Sequence, residues 1–316
     1  TFVSVLRADG IKPIIGQEFY VADDMYQKTA DVMKKRYHLI LLAKNMTGYK
    51  NLMKLSSMAF VDGFYVKPRI DFKHIKEHSE GLICLSACLA GQIPRLLLEG
   101  KYEEAKAVAI EMRDTFAPGD FYIELQDHHL PEDRIVMNPL VQIAREIGVK
   151  VVATNDVHYI EKEDADIQDT MMCITLGCKK SEINGARFDT DEFYLKSGDE
   201  MAELFSWCPE AIASTREIAD KVDGDYFITK HPSIIPKYTN EEMGDRDEAQ
   251  YLRDLAYEGV KRKYGYINDE ITKRLEYELG VIHKCGFDGY FLIEHETNYD
   301  NNLPEVIKCA EYLKTH

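Results

Sequence analysis

Residues 149–159 read Val149-Lys150-Val151-Val152-Ala153-Thr154-Asn155-Asp156-Val157-His158-Tyr159. A short, β-branched apolar run ends in a polar exit that carries a carboxylate and an imidazole. The run reads as a strand. Before it, residues 133–147 have helical periodicity, and Gly148 supplies the stop. Working back toward the start, Phe121–Leu125 is a strand, residues 101–116 are an amphipathic helix, and Gly81–Ser86 is a short strand. Residues 47–60 read as a helix with Leu52, Leu55, Met58 and Ala59 on one side. His38–Ala43 is a continuous apolar run of the kind found in buried parallel strands. Ile11–Val21 is β-rich, and residues 2–9 are the end of a helix stopped by Gly10. Strand and helix alternate over some 150 residues, which predicts an α/β fold with parallel strands.

The texture changes beyond about residue 198. Residues 199–221 look helical, His231–Lys237 is a Pro-punctuated extended link, and residues 247–263 and 268–285 read as charged amphipathic helices. No strand alternates with them, so a domain boundary is expected near residue 228. No internal repeat or low-complexity tract occurs.

Composition narrows the function. The chain has 316 residues, 45% hydrophobic and 30% charged, with a formal charge of −16. A protein that gains affinity by neutralising phosphates is normally basic, so a nonspecific DNA-coating role is disfavoured. A metal-dependent phosphoesterase is not, because bound cations invert the local charge. No apolar run approaches the roughly 18 residues of a membrane span. Seven scattered cysteines without a C-x-x-C pair read as reduced thiols in a cytoplasmic protein. The first residues, Thr1–Arg7, lack the features of a secretory signal and a Met, which fits a chain that starts inside a longer one. There is no G-x-x-x-x-G-K-[ST] loop, no G-x-G-x-x-G, no G-x-S-x-G and no zinc-finger spacing.

Candidate chemistry gathers at strand ends. Along extended chain, residues i and i+2 point the same way, so Asp156 and His158 are expected to converge where a parallel strand runs out. Sites form there in α/β folds, and a carboxylate with an imidazole suits a divalent ion. A plain polar exit from the strand is the alternative. Glu18 lies late in its strand, either as a ligand or as a solvated edge carboxylate. His38 opens its strand, at the wrong end for a strand-exit site, and reads as a capping or packed histidine. Cys88 follows a short strand, and a small core hydrophobe is the ordinary role for such a residue. Asp127, His128 and His129 form a loop whose adjacent histidines cannot both face one ion. Tyr65, Lys67 and Arg69 place an aromatic beside two cations, a pattern that grips phosphate or a base or simply snorkels.

Several long runs together resemble one family. They are Lys12–Val21 (KPIIGQEFYV), His38–Leu55 (HLILLAKNMTGYKNLMKL), Gly63–Asp71 (GFYVKPRID), Glu80–Gly91 (EGLICLSACLAG), Phe121–Gln126 (FYIELQ), Val151–Tyr159 (VVATNDVHY), Phe193–Ser197 (FYLKS) and Arg274–Leu279, continuing to Gly289–Ile293. Over about residues 2–293 the chain is similar to the alpha subunit of bacterial DNA polymerase III, with most of its PHP (polymerase and histidinol phosphatase) domain.

The resemblance implies a truncated, distorted (β/α)7 PHP barrel over residues 1–228. The start of the polymerase core would follow at 229–293, a helical segment leading toward the palm, and then a tail at 294–316 outside the family pattern. It implies metal ligands at Glu18, His38, Cys88, Asp156 and His158, for zinc, manganese or magnesium. The implied partners are DNA and deoxynucleotides, a proofreading exonuclease, the sliding clamp and other holoenzyme subunits, in the cytoplasm and without a membrane. The family's H-x-H strand, a further acidic ligand and a D-H-G strand end are not found in these 316 residues, and neither are the paired aspartates of a polymerase palm. Weak or no nuclease activity is therefore expected of this chain alone, and an unpaired edge is expected on Ile11–Val21. Three functional readings result. One is a metal-dependent phosphoesterase or 3′–5′ exonuclease domain of a replicative polymerase. The others are a structural buttress that docks a separate exonuclease, and a free-standing PHP phosphatase; the segment 247–293 speaks against the last.

Overall fold

A computed structural model describes residues 2–29, 36–182, 188–224, 238 and 241–287. The chain divides into two compact units, Thr1–Phe227 and Ile228–His316. The expected link at His231–Lys237, the run Gly289–Ile293 and the tail 294–316 lie outside the described residues.

The first unit is mixed α/β. Strands β1 (Gly16–Ala22), β2 (Tyr37–Ala43), β3 (Ile70–Asp71), β4 (Leu82–Leu85), β5 (Phe121–Leu125) and β6 (Lys150–Ala153) form one sheet in the order β3-β1-β2-β4-β5-β6. Neighbours pair in parallel at β1/β3, β4/β5 and β5/β6. β2 runs antiparallel to both β1 and β4, so the all-parallel expectation fails at this strand. A parallel return needs a crossover of a dozen or more residues, usually a helix that covers the sheet. The expected free edge on β1 is corrected only at its end: β3 pairs with Val21 and Ala22, while among the described residues Gly16–Tyr20 have a strand partner on the β2 side alone. Among the described residues the sheet edges are β3 and β6.

Side-chain alternation sorts the β1–β2 pair into two faces. Phe19, Val21, Leu39 and Leu41 are buried in the main core with Leu52, Leu55 and Ala59 of helix α2 (Met46–Val61). Helix α1 is Phe2–Ala8 and α3 is Phe72–Glu77. Helices α4 (Gln92–Leu98), α5 (Tyr102–Thr115) and α6 (Pro131–Ile147) pack on one another, and α6 also packs on β5 and β6. α6 starts with Pro131 in its first turn and ends at Gly148, whose φ of 71° is the left-handed cap. Its apolar stripe of Val136, Leu140, Ile143, Ala144 and Ile147 is buried. Burying five such side chains contributes roughly 1.5–3 kcal/mol for each large one.

Helix α7 (Ala165–Leu176) follows β6, and the stretch expected to be helical over 199–221 forms two helices, α8 (Gly198–Leu204) and α9 (Pro209–Lys221). Pro209 explains the break, because it lacks the N–H that a continuing helix needs but suits a first turn. In the second unit, α10 (Glu248–Tyr264) and α11 (Asp269–Cys285) are capped by Asp247 and Asn268 and closed by Gly265 and Gly286. Arg253 holds Glu276 between these helices at 2.6 Å, and Tyr238, Met243 and Tyr251 form a small core. No helix among the described residues is long and apolar enough to cross a membrane.

Candidate functional site

The reversed direction of β2 decides where His38 stands. Because β2 is antiparallel, its first residues lie at the end of the sheet where β1, β4, β5 and β6 finish. In the register His38 opposes Tyr20 and Ile40 opposes Glu18. Glu18 and His38 therefore share a face, and Glu18 Oε1 lies 3.0 Å from His38 Nδ1. The expectation that His38 lies at the wrong end was an error of strand sense, which hydrophobic patterning does not encode.

Cys88 reaches the same imidazole by a tight turn beyond β4. Ala87 has φ 65°, and the Gly91 N–H donates to the Cys88 carbonyl at 2.8 Å. A Cβ on Gly91 would meet the Ser86 carbonyl oxygen at 2.3 Å, so this turn requires glycine. The His38 N–H donates to the Ala90 carbonyl at 3.1 Å, fastening the start of β2 to the turn. Cys88 Sγ then lies 3.5 Å from His38 Nδ1.

Asp156 and His158 come together by a different route from the one expected. β6 ends at Ala153, and Asp156 has φ 44°. A left-handed, non-glycine residue is costly and is held by its surroundings. Asn155 supplies the hold, its Nδ2 donating to the carbonyls of Glu192 (3.0 Å) and Tyr194 (2.7 Å). The His158 N–H donates to the Phe193 carbonyl at 2.8 Å. The run Phe193–Ser197 thus serves as a clasp for the strand exit. The outcome is an Asp156 Oδ1 to His158 Nε2 distance of 3.5 Å, reached through a turn and not through strand alternation.

Electrostatics ties the two groups into one field. Burial raises the Glu18 carboxyl above its ordinary range, the negative charge of Asp156 raises it further, and His158 opposes both. Burial lowers the His38 imidazole, against the pull of Asp156. Burial pushes the Cys88 thiol up to about 12, with Asp156, Glu18 and Glu124 adding to it. Burial works against ionising Asp156, but the His158 hydrogen bond and the nearby imidazoles prevail and its pKa is lowered. The same hydrogen bond raises His158.

The donor types are two carboxylates, two imidazoles and a thiol, which fit a divalent ion of borderline softness. Among the described residues, no group of three or more His, Cys, Asp or Glu side chains stands ready to hold an ion. The contacts are pairwise.

Other candidates are placed differently. Arg69 is fully buried. It donates from Nε to the Gly63 carbonyl and from one terminal nitrogen to the carbonyls of Met25 and Gln27, at 3.2, 3.1 and 2.8 Å. Its guanidinium lies over Tyr65 at 5.5 Å. Arg69 is thus built into the fold, while Lys67 is exposed and Tyr65 half-buried. His128 is buried and stacked on Phe193, with Nε2 donating to the Asn155 carbonyl at 3.0 Å. Asp127 and His129 pair with each other, Oδ1 to Nδ1 at 3.4 Å.

One residue was missed. Glu124, in β5, is only 4% exposed, and burial lifts its carboxyl to about 7 against hydrogen bonds from Thr154 and Gln126. The signal lay in Phe121-Tyr122-Ile123-Glu124-Leu125, a carboxylate inside a strand whose every residue is buried.

Comparison with known sequences agrees with this architecture. The profile described as "PHP domain" matches residues 1–128, and "Bacterial DNA polymerase III alpha NTPase domain" matches residues 250–299. The chain is 45% identical over 308 residues to the DNA polymerase III subunit alpha of Borreliella burgdorferi, covering 96% of the chain and 27% of that protein. It is 44% identical over 295 residues to its counterpart in Treponema pallidum, covering 92% and 25%, and 38% identical over 316 residues to that of Helicobacter pylori strain 26695, covering 92% and 26%. The chain spans about a quarter of the length of these relatives.

Proposed function

The chain belongs to the bacterial DNA polymerase III alpha-subunit family, and from that premise we propose that Glu18, His38, Cys88, Asp156 and His158 are part of a divalent-metal phosphoesterase site in a PHP unit. In this reading residues 1–228 are that unit, 229–293 begin the polymerase core and 294–316 form a tail. The six strands are part of a distorted (β/α)7 barrel. The supporting observation is the antiparallel β2, which brings His38 within 3.0 Å of Glu18 and 3.5 Å of Cys88 at the end of the sheet where the parallel strands finish.

Thiol and imidazole donors favour zinc, and the two carboxylates also suit manganese or magnesium. An ion held there supplies Lewis acidity and an activated water at neutral pH. The protein's own share is to present donors in the right state. His38, with its lowered pKa, offers a neutral ring nitrogen. The Asp156 hydrogen bond favours the protonated form of His158, and in that form the ring would give a proton or a positive partner to a phosphate oxygen instead of holding an ion. The intact subunit would act on DNA and deoxynucleotides in replication, in the cytoplasm, with a proofreading exonuclease, the sliding clamp and other holoenzyme subunits as partners. The pairwise grouping of donors also suits a second reading, in which the unit buttresses the polymerase and docks a proofreading exonuclease.

The test has two measurements on the purified chain. Zinc or manganese titration is expected to show binding that weakens in Asp156→Ala. Release of nucleotides from a labelled 3′ end is expected to be slight with either ion, since the family's H-x-H and D-H-G segments are not in this chain. Absence of metal binding would overturn the metal reading. Robust release that disappears in Asp156→Ala would overturn the reading of the site as incomplete.

A further inference from the structure

Glu124 is a buried carboxylate that is not among the five candidate ligands, and its contacts form a pattern. Its Oε1 accepts hydrogen bonds from the Thr154 hydroxyl and from Gln126 Nε2, the latter at 3.2 Å. Gln126 Nε2 also donates to Thr154 Oγ1 at 3.0 Å. The Glu124 backbone N–H donates to Ser86 Oγ at 2.8 Å. Ser86, Gln126 and Thr154 each follow the last residue of a strand, β4, β5 and β6 respectively. Ser86 is two residues before Cys88, and Thr154 is two residues before Asp156. The carboxylate also helps line a small cavity with Ala87, Cys88, Gln126 and Asp133.

We propose that Glu124 is the positioning residue of the candidate site: it ties the exits of β4, β5 and β6 together and so fixes where Cys88 and Asp156 present their side chains. Burying a carboxylate costs free energy unless hydrogen bonds offset it. A hydrophobic residue in the same slot would pack the sheet without that cost, but it would lose the acceptor that Gln126 and Thr154 share, leaving only the backbone N–H to Ser86 and the Gln126–Thr154 bond beside the strand pairing. Partners of this kind outside the ligands orient them, and their loss typically lowers metal affinity by about 10–100-fold. The metal part of the inference rests on the reading of Cys88 and Asp156 as ligands; the positional part does not.

The experiment therefore has a metal-free arm. Cys88 in the whole chain is titrated with an aromatic disulfide reagent, and labelling is mapped by mass spectrometry, with Cys173 and Cys208 as internal references. Thr154→Val leaves the Glu124 side chain in place and removes its hydrogen bond to the exit of β6. Glu124→Ala removes the carboxylate's bonds to Gln126 and Thr154 and its share of the cavity beside Cys88, leaving the backbone N–H on Ser86, and Glu124→Gln keeps its shape and one acceptor oxygen. We expect Thr154→Val and Glu124→Ala to speed Cys88 labelling by about tenfold or more with the reference cysteines unchanged, and Glu124→Gln to stay within about threefold of the parent. A second arm titrates Co²⁺, where Thr154→Val should lose about tenfold in affinity. Unchanged Cys88 labelling in Thr154→Val overturns the proposal. So does a common rise at all three cysteines, which would mean general loosening. Equal rates for Glu124→Gln and Glu124→Ala would show that charge acts, not position. If the parent chain binds no Co²⁺ while labelling behaves as expected, the metal reading fails and the positional inference stands.

Discussion

Replacing Arg69 by alanine separates a structural role from a ligand-binding one. The guanidinium is fully buried and donates to three carbonyls, those of Gly63, Met25 and Gln27. A hydrogen bond from a charged donor contributes about 1.5–3 kcal/mol, and a buried acceptor left alone carries its own desolvation cost. Three such bonds share one side chain and are not additive, so the loss is expected at about 3–6 kcal/mol. That is a large part of the roughly 5–15 kcal/mol by which a domain is stable. For a unit of this size, 1 kcal/mol moves Tm by about 2–4 °C, so Arg69→Ala should melt at least about 6 °C below the parent. Arg69→Lys, which can keep one of the bonds, should fall between them. The assay is thermal unfolding followed by circular dichroism, together with binding of a short single-stranded DNA. If Arg69→Ala melts with the parent but loses DNA affinity, the side chain serves a ligand and the structural argument is wrong.

Four more predictions concern the site and its frame. In Asp156→Asn the His158 imidazole should titrate at lower pH, because its pKa is raised chiefly by the Asp156 hydrogen bond; NMR of the ring protons reads this directly, and no change would remove Asp156 as the cause. Stability follows the same pair: a raised histidine pKa stabilises fully below the ordinary value near 6.5 and loses that contribution as pH rises through the folded value. The Tm gap between parent and Asp156→Asn should thus narrow on going from about pH 6 to above the folded value. Since the Cys88 thiol is pushed up to about 12, it is protonated at neutral pH, and zinc binding should release a proton from it; Cys88→Ser should release about one proton fewer in a weakly buffered titration, and equal release would exclude a thiolate ligand. Gly48→Ala places a Cβ 1.9 Å from the Gly81 carbonyl oxygen, a backbone atom that cannot give way cheaply. A loss of at least about 1–3 kcal/mol in urea unfolding is expected, and parent-like stability would show that α2 can slide on the start of β4.

Much of the frame was legible because burial leaves a period in the sequence. Phe121–Leu125 was read with the bounds the structure has, and α5, α6, α10 and α11 were placed to within about two residues, the usual uncertainty of helix ends. β3 was not read, because two residues carry no period. α7 was not read either; Ile167, Met171 and Ile174 on it are exposed. The sense of β2 is invisible to patterning, since an apolar run looks the same whichever way it enters the sheet. That one ambiguity misplaced His38. Asp156 and His158 were paired for a reason the backbone does not obey, as a left-handed residue replaces the extended one. Arg69 beside an aromatic looked like a phosphate grip because sequence shows side-chain types and not which carbonyls wait for them.

The candidate ligands are far apart in sequence, with Glu18 and His158 at opposite ends of the first unit's sheet-forming chain. Pairings of such separation close late, because loop-closure entropy must be met before the contact rewards it. The rim therefore completes only after β1, β2, β4, β5 and β6 are in register. This sets the unit apart from small zinc domains, where an ion draws a short loop together and drives folding. Here an ion would join a nearly finished structure, so its grip would be absent from the folding transition state. Such late contacts slow unfolding and leave the folding rate nearly untouched. A bound ion would act as a latch on kinetic lifetime.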